Sequence, residues 1–104
     1  MENEKDPKEV IDVEEYFKAN KPIPLGKRYL IKVDTKKVEM GKQIVTGKEI
    51  LEAAGKKPPE RFQLNQKLRG GMVKKIALDE KVDLAEPGIE RFMTIPLDQT
   101  EGAL

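Results

Sequence analysis

The stretch "TGKEILEAAG", residues 46–55, decides the fold because it predicts a helix with both ends marked. Thr46 can act as the N-cap, and Glu49, three residues later, completes a capping box. Gly55 suits the left-handed residue that ends a helix, and the prolines at 58–59 prevent its continuation. The apolar side chains of the helix share one face: Ile50, Leu51 and Ala54. We therefore expect one short helix packed across a small sheet.

Two predicted strands precede this helix. The segment "RYLIKVD" alternates at strand period, with Tyr29, Ile31 and Val33 on one face. A polar turn is predicted at residues 35–37, and the run "KVEM" then resumes the alternation. The two runs together predict a hairpin.

Four apolar runs follow the helix: "RFQLNQKL" at 61–68, "MVKKIAL" at 72–78, "KVDL" at 81–84 and "IERFMTI" at 89–95. The order strand, strand, helix, strand, short strands, strand predicts an α+β domain with one main helix on a mixed sheet. The side chains expected to face inward are Tyr29, Ile31, Val33, Val38, Ile44, Ile50, Leu51, Phe62, Leu64, Leu68, Val82, Leu84 and Phe92.

The N-terminal segment differs from the rest of the chain in charge. Residues 1–20 hold seven acids and three lysines, a local charge of −4, while the chain as a whole has a net charge of +1. We interpret this segment as an appended acidic arm that can form a helix over 7–20, joined by a linker at 21–26. Two interpretations stay open: a mobile tail, or a docking peptide for a partner or a second copy. In the second, the acidic arm can dock on the basic body of the same or another copy, giving dimers or filaments.

The run "KLRGG" resembles the tail of a ubiquitin-type modifier, but it lies inside the chain. Gly70 and Gly71 fall between two predicted strands, and a two-residue hairpin loop needs positive φ at both positions, which glycine allows. Cutting after Gly71 would discard part of the predicted core. We therefore interpret Gly70 and Gly71 as a structural turn.

The last nine residues, "PLDQTEGAL" at 96–104, lack apolar periodicity and predict a flexible tail. Gly102 lies seven residues past Ile95, and such a tail can extend ~24 Å. Glycine has no Cβ to crowd an activated carbonyl carbon. From these residues alone, Gly102 is either a conjugation site exposed by removal of Ala103 and Leu104, or a chance glycine in a frayed terminus.

The composition excludes several kinds of chemistry. The chain of 104 residues has no Cys and no His, which removes disulfides, most zinc sites and imidazole catalysis. We predict no catalytic residues, no metal, no cofactor and no membrane span, and we expect a soluble, cytoplasmic protein. The lysine pairs are dispersed, so we expect no nucleic-acid partner. Asp79, Glu80 and Asp83 cluster in "ALDEKVDL", which we interpret as a solvated turn rather than a metal site.

Three motifs carry a resemblance to a known family. The runs "TGKEIL", "KLRGG" and "VDLAEPGIERF" occur in the order seen in the multiubiquitin domain family of bacteria, which the chain resembles over about residues 27–95. The resemblance implies a β-grasp, ubiquitin-like fold there, with 1–26 outside the match. It also implies a modifier of a bacterial ubiquitination-like pathway, conjugated through a matured glycine, which carries over to Gly102. Unlike ubiquitin, this chain has Glu101 rather than glycine before it.

The resemblance implies four kinds of partner: an E1-like activating enzyme, an E2-like carrier, a processing or deconjugating peptidase, and target proteins. The leading hypothesis is therefore a modifier joined to its targets by an isopeptide or ester bond. The alternative is a non-covalent interaction or self-assembly module, with self-association through residues 1–20. Sulfur carriage through a C-terminal thiocarboxylate ranks below both, because it usually uses a Gly-Gly end.

Overall fold

The computed structural model describes residues 8–97 of the chain. Its elements in chain order are strand β1 (Lys8–Asp12), helix α1 (Val13–Lys18), strands β2 (Gly26–Val33), β3 (Lys36–Met40) and β4 (Ile44–Thr46), helix α2 (Gly47–Ala53), a 3₁₀-helix (Pro59–Arg61), and strands β5 (Phe62–Leu68), β6 (Val73–Ile76), β7 (Lys81–Asp83) and β8 (Ile89–Pro96).

Six of the strands form one mixed sheet in the order β1-β2-β8-β5-β6, with β3 paired to β2. Strands β1 and β8 run parallel to β2, whereas β3 is antiparallel to β2, and β5 is antiparallel to both β8 and β6. Strands β4 and β7 form a separate two-stranded sheet. The predicted α+β class, a mixed sheet with one main helix as in the β-grasp fold, is confirmed.

The predicted main helix is α2. Thr46 is its N-cap: the Glu49 backbone N–H donates to Thr46 Oγ1 at 3.1 Å, and the Thr46 N–H donates to Glu49 Oε1 at 2.9 Å. The capping box is therefore confirmed, and Gly55 follows the helix with φ 79°. Ile50 and Leu51 are fully buried, which seats the helix on the core.

The alternating pattern of the first hairpin is also confirmed, because Tyr29, Ile31 and Val33 are buried. Its turn consists of Asp34 and Thr35, so it begins one residue earlier than the predicted turn at 35–37. Asp34 has a φ of 56°. The Asp34 carboxylate accepts hydrogen bonds from the Thr94 N–H at 2.8 Å and from Thr94 Oγ1 at 2.6 Å. This turn is therefore tied to β8, 60 residues away in sequence.

Most of the predicted core residues are buried; one points to the wrong face of its strand, and two are only partly buried. Ile44 is 44% exposed, and its neighbour Val45 is buried instead. Phe62 and Leu68 are only partly buried and pack against the core. Ala54, placed on the apolar face of the helix, is buried as well, and the buried hydrophobic residues outside the predicted set are Ile11, Val13, Ile23, Met40, Val45, Ile76 and Ile89.

The predicted helix over 7–20 is wrong for residues 8–12, which form β1. This strand pairs with the first half of β2, from Lys8 opposite Gly26 to Asp12 opposite Leu30. Only residues 13–18 are helical, with Asp12 as the N-cap of α1. Ile11 and Val13 are buried in the same cluster as the rest of the core. The sheet therefore continues across the boundary that the charge pattern suggested.

Candidate functional site

The C-terminal tail leaves the body at the end of β8. Pro96 lies opposite Phe62, the first residue of β5, and the Leu97 N–H donates to the Arg61 carbonyl at 2.7 Å. Ile95 and Leu97 are 48% and 41% exposed. The chain therefore reaches the surface beside the 3₁₀-helix and is held there by backbone hydrogen bonding.

The predicted conjugation residue lies outside the described residues. Gly102, and the two residues predicted to be removed, Ala103 and Leu104, all follow Leu97. Gly102 is five residues beyond Leu97. Five extended residues span at most ~17 Å, which sets the greatest distance between this glycine and the exit point.

Gly70 and Gly71 lie at the turn between β5 and β6, with φ of 89° and 83°. The Leu68 N–H donates to the Met72 carbonyl at 2.7 Å and encloses a loop of three residues, where a two-residue loop was predicted. Leu68 is opposite Ile89 at the start of β8, so this turn lies at the other end of the sheet from the tail exit. The two glycine-containing segments are therefore separate features.

Two of the three acidic residues of "ALDEKVDL", Glu80 and Asp83, accept hydrogen bonds. Glu80 Oε1 accepts from the Ala77 N–H at 3.0 Å, and this bond, with the nearby Lys74 ammonium, lowers the pKa of Glu80. Asp83 Oδ1 accepts from Gln43 Nε2 at 2.8 Å. In the described part of the chain, no group of three or more acidic, His or Cys side chains is arranged to hold a metal ion.

An ionic cluster, whose residues the sequence did not identify, fastens the N-terminal segment to the hairpin of the same molecule. Lys37 Nζ lies 2.7 Å from Asp12 Oδ2 and 3.1 Å from Glu14 Oε1, while Lys32 Nζ is 3.6 Å from Glu14. The hydrogen bond from Lys37 lowers the pKa of Glu14. Burial lowers the pKa of Lys37, but its bonds to Asp12 and Glu14 raise it on balance. The charge contrast along the chain was the only signal of this pairing.

Within residues 8–97 there is no helix long and apolar enough to cross a membrane. A family model described as multiubiquitin matches residues 29–96. Searches of the curated proteins and of the solved structures give no match to this chain.

Proposed function

Because this chain belongs to the multiubiquitin family, whose model covers residues 29–96, we propose that it is a ubiquitin-like protein modifier of a bacterial conjugation pathway. In this function the protein is a substrate of other enzymes, and its own part is to present a tail and a docking face. The observation that carries the proposal is the position of Leu97: a half-exposed residue at the end of the last strand, followed by five residues up to Gly102.

The proposed chemistry starts with hydrolysis of the Gly102–Ala103 peptide bond by a processing peptidase. An E1-like enzyme then joins the Gly102 carboxylate to the α-phosphate of ATP, and pyrophosphate leaves. A cysteine thiolate displaces AMP to form a thioester on the carrier. Finally, an amine or hydroxyl of the target attacks the acyl carbon, and the carrier thiolate leaves.

Glycine is suited to the acyl position for a steric reason. It has no Cβ, so a narrow active-site channel can enclose the reacting carbonyl. An aspartate at this position adds both bulk and a negative charge beside the carboxylate that must attack the phosphate. We therefore expect Gly102→Asp to lower adduct formation at least ~100-fold, as expected when the reacting group is misplaced.

The test uses the full chain incubated with ATP and with the processing peptidase, activating enzyme and carrier enzyme of the proposed pathway, and it is read by intact mass. The expected result is loss of the last two residues and an ATP-dependent covalent adduct. Gly41→Asp is the matched control, because no atom lies within 4 Å of a Cβ at Gly41, and it should form the adduct normally. Unimpaired adduct formation by Gly102→Asp would refute the proposal.

A non-covalent interaction module is the second candidate function. Met72 and Val73, beside the β5–β6 turn, are 63% and 54% exposed, and in this function a partner covers them. This function predicts partner recruitment that is unchanged in Gly102→Asp and independent of ATP. The same variant therefore separates the two candidates.

A further inference from the structure

A groove lies between the segment that follows α1 and the start of β8. Its volume is about 440 Å³. The residues that line it are Asn20, Lys21, Pro22, Arg69, Pro87 and Gly88. Lys21 also borders a second groove of about 220 Å³, together with Glu15, Tyr16 and Ala19. Lys21 therefore stands between two adjoining concave surfaces.

Contacts with Phe17 position the Arg69 side chain at the wall of the larger groove. Its guanidinium lies 4.2 Å from the centre of the Phe17 ring, and Nη2 donates to the Phe17 carbonyl at 2.5 Å. Its backbone N–H donates to the Gly88 carbonyl at 2.8 Å. Fixing a long side chain beforehand lowers the entropy that a ligand must overcome on binding.

The groove presents positive charge that the body does not neutralise by contact. Arg69 and Lys21 are exposed, and neither forms an ion pair with another described side chain. The guanidinium uses one of its five N–H groups in the bond to Phe17, which leaves others for an acidic ligand. The complementary segment in this chain is "LDQTEG", residues 97–102, which carries Asp98 and Glu101.

The acids of the same molecule are poorly placed to reach this groove, because the tail leaves at the other end of β8. Gly88 and Leu97 are nine residues apart along β8, a distance of ~30 Å at strand rise. Glu101 is four residues beyond Leu97, so it lies within ~14 Å of the exit point even when fully extended. The remaining gap between backbones is ~16 Å, so contact within one molecule would require the tail and both side chains to be fully extended at once. A second copy has no such restriction.

We propose that the groove at Lys21 and Arg69 binds the acidic C-terminal segment, residues 97–102, of a second copy of this chain. The contact joins the tail of one molecule to the opposite end of the next, so it is heterologous and adds molecules in one direction. It holds whether or not Gly102 is conjugated. Exposed ion pairs contribute little, so we expect weak association, with a Kd on the order of 0.1–1 mM at low salt.

The experiment uses two complementary full-length variants. Lys21→Gln with Arg69→Gln removes the groove's charge and keeps the tail, whereas Asp98→Lys with Glu101→Lys reverses the tail and keeps the groove. Sedimentation equilibrium is run without enzymes or ATP at ~50 mM salt, where charge interactions are weakly screened. Wild type should show concentration-dependent growth beyond a dimer, each variant alone should be monomeric, and their mixture should stop at a 1:1 dimer.

Three further results decide the matter. Lys57→Glu, a charge reversal at an exposed lysine outside the groove, should associate like wild type. Raising salt to ~500 mM should weaken wild-type association at least ~10-fold. Substituting Arg69 also removes its contacts with Phe17, so Lys21→Glu is measured alone as well. This single variant should weaken association at least ~3-fold. Monomeric wild type at ~1 mM, or association unchanged in Lys21→Glu, would overturn the proposal. A mixture of the two complementary variants that stays monomeric would also overturn it.

Discussion

At the scale of single residues, the backbone at the start of α2 packs directly against the backbone of the loop at 77–80. The Gly47 N–H donates to the Glu80 carbonyl at 3.1 Å, and the next N–H, that of Lys48, donates to the Leu78 carbonyl at 2.9 Å. A Cβ on Gly47 would lie 2.3 Å from the Ala77 carbonyl oxygen. Because the obstacle is backbone, it cannot rotate away as a side chain does.

We expect Gly47→Ala to lower the free energy of unfolding by about 2–3 kcal/mol, since overpacking forces the backbone to shift. Denaturant melts followed by circular dichroism measure this. Gly41→Ala is the matched control: its Cβ meets nothing within 4 Å, and Gly41 is not among the positive-φ glycines, so its stability should change little. Equal effects at the two positions would show that the approach to Ala77 is not rigid.

The same scale explains which residues the sequence could predict. Tyr29, Ile31 and Val33 were assigned to the core because an eight-residue strand repeats its period several times. Ile44 was assigned wrongly because β4 has only three residues, and so short a run does not identify its buried face. The bond between Asp34 and Thr94 joins positions 60 apart, for which no local pattern exists.

At the scale of elements, β1 shows how a distant partner overrides local pattern. Val10, Val13 and Phe17 fit a helical stripe, but pairing with β2 makes residues 8–12 a strand and places Ile11 in the core. The helical prediction holds only after Asp12, where α1 begins. Similarly, Lys21 and Arg69 meet at one groove although they are 48 residues apart, so the sequence did not reveal that site.

The Glu14 cluster predicts a pH dependence for this element. The folded-state pKa of Glu14 is lowered from 4.5, so the unfolded chain binds more protons as the pH falls. The stabilisation is therefore present above pH ~4.5 and is lost as the pH falls through the lower folded-state pKa. We expect Glu14→Gln to cost about 1 kcal/mol at pH 7, and the cost to shrink toward pH 3.

Thermal melts of wild type and Glu14→Gln between pH 7 and 3 measure this convergence. Glu15→Gln is the control, because it removes the same charge from an exposed neighbour on the same helix. Its melting temperature should follow that of wild type in parallel from pH 7 to 3. A Glu14→Gln curve that stays parallel to wild type at low pH would contradict the role of the carboxylate.

At the scale of the whole molecule, the folded unit is larger than the family match. The match begins at residue 29, but Ile11 and Val13 lie in the same buried cluster as Phe92 and Leu51. Tyr29 and Leu30 of β2 pair with β1 on one edge and with β3 on the other, so β1 and β8 share the edge of β2 that β3 leaves open. Residues 8–12 therefore complete the sheet, and α1 continues from them at residues 13–18.

We expect Ile11→Ala to lower the free energy of unfolding by about 3 kcal/mol, as for other buried isoleucines. The neighbouring Val10 is 38% exposed, so Val10→Ala is the control and should cost less than ~1 kcal/mol. Both losses in unfolding free energy are obtained from the midpoints of urea denaturation, provided that the m-value is unchanged. Two equally small values would mean that the N-terminal segment is not part of the cooperative unit.

The parallel pairing of β1 with β2 also fixes where the chain enters the domain. Lys8 is opposite Gly26, and Phe92 is opposite Val33, so twelve residue steps, or ~40 Å, separate Lys8 from Leu97 along the strand direction. A fluorophore, affinity handle or fused protein placed ahead of residue 8 would thus emerge at the far pole from the tail exit. Labelled or immobilised forms of the protein made in this way keep that exit free of steric obstruction.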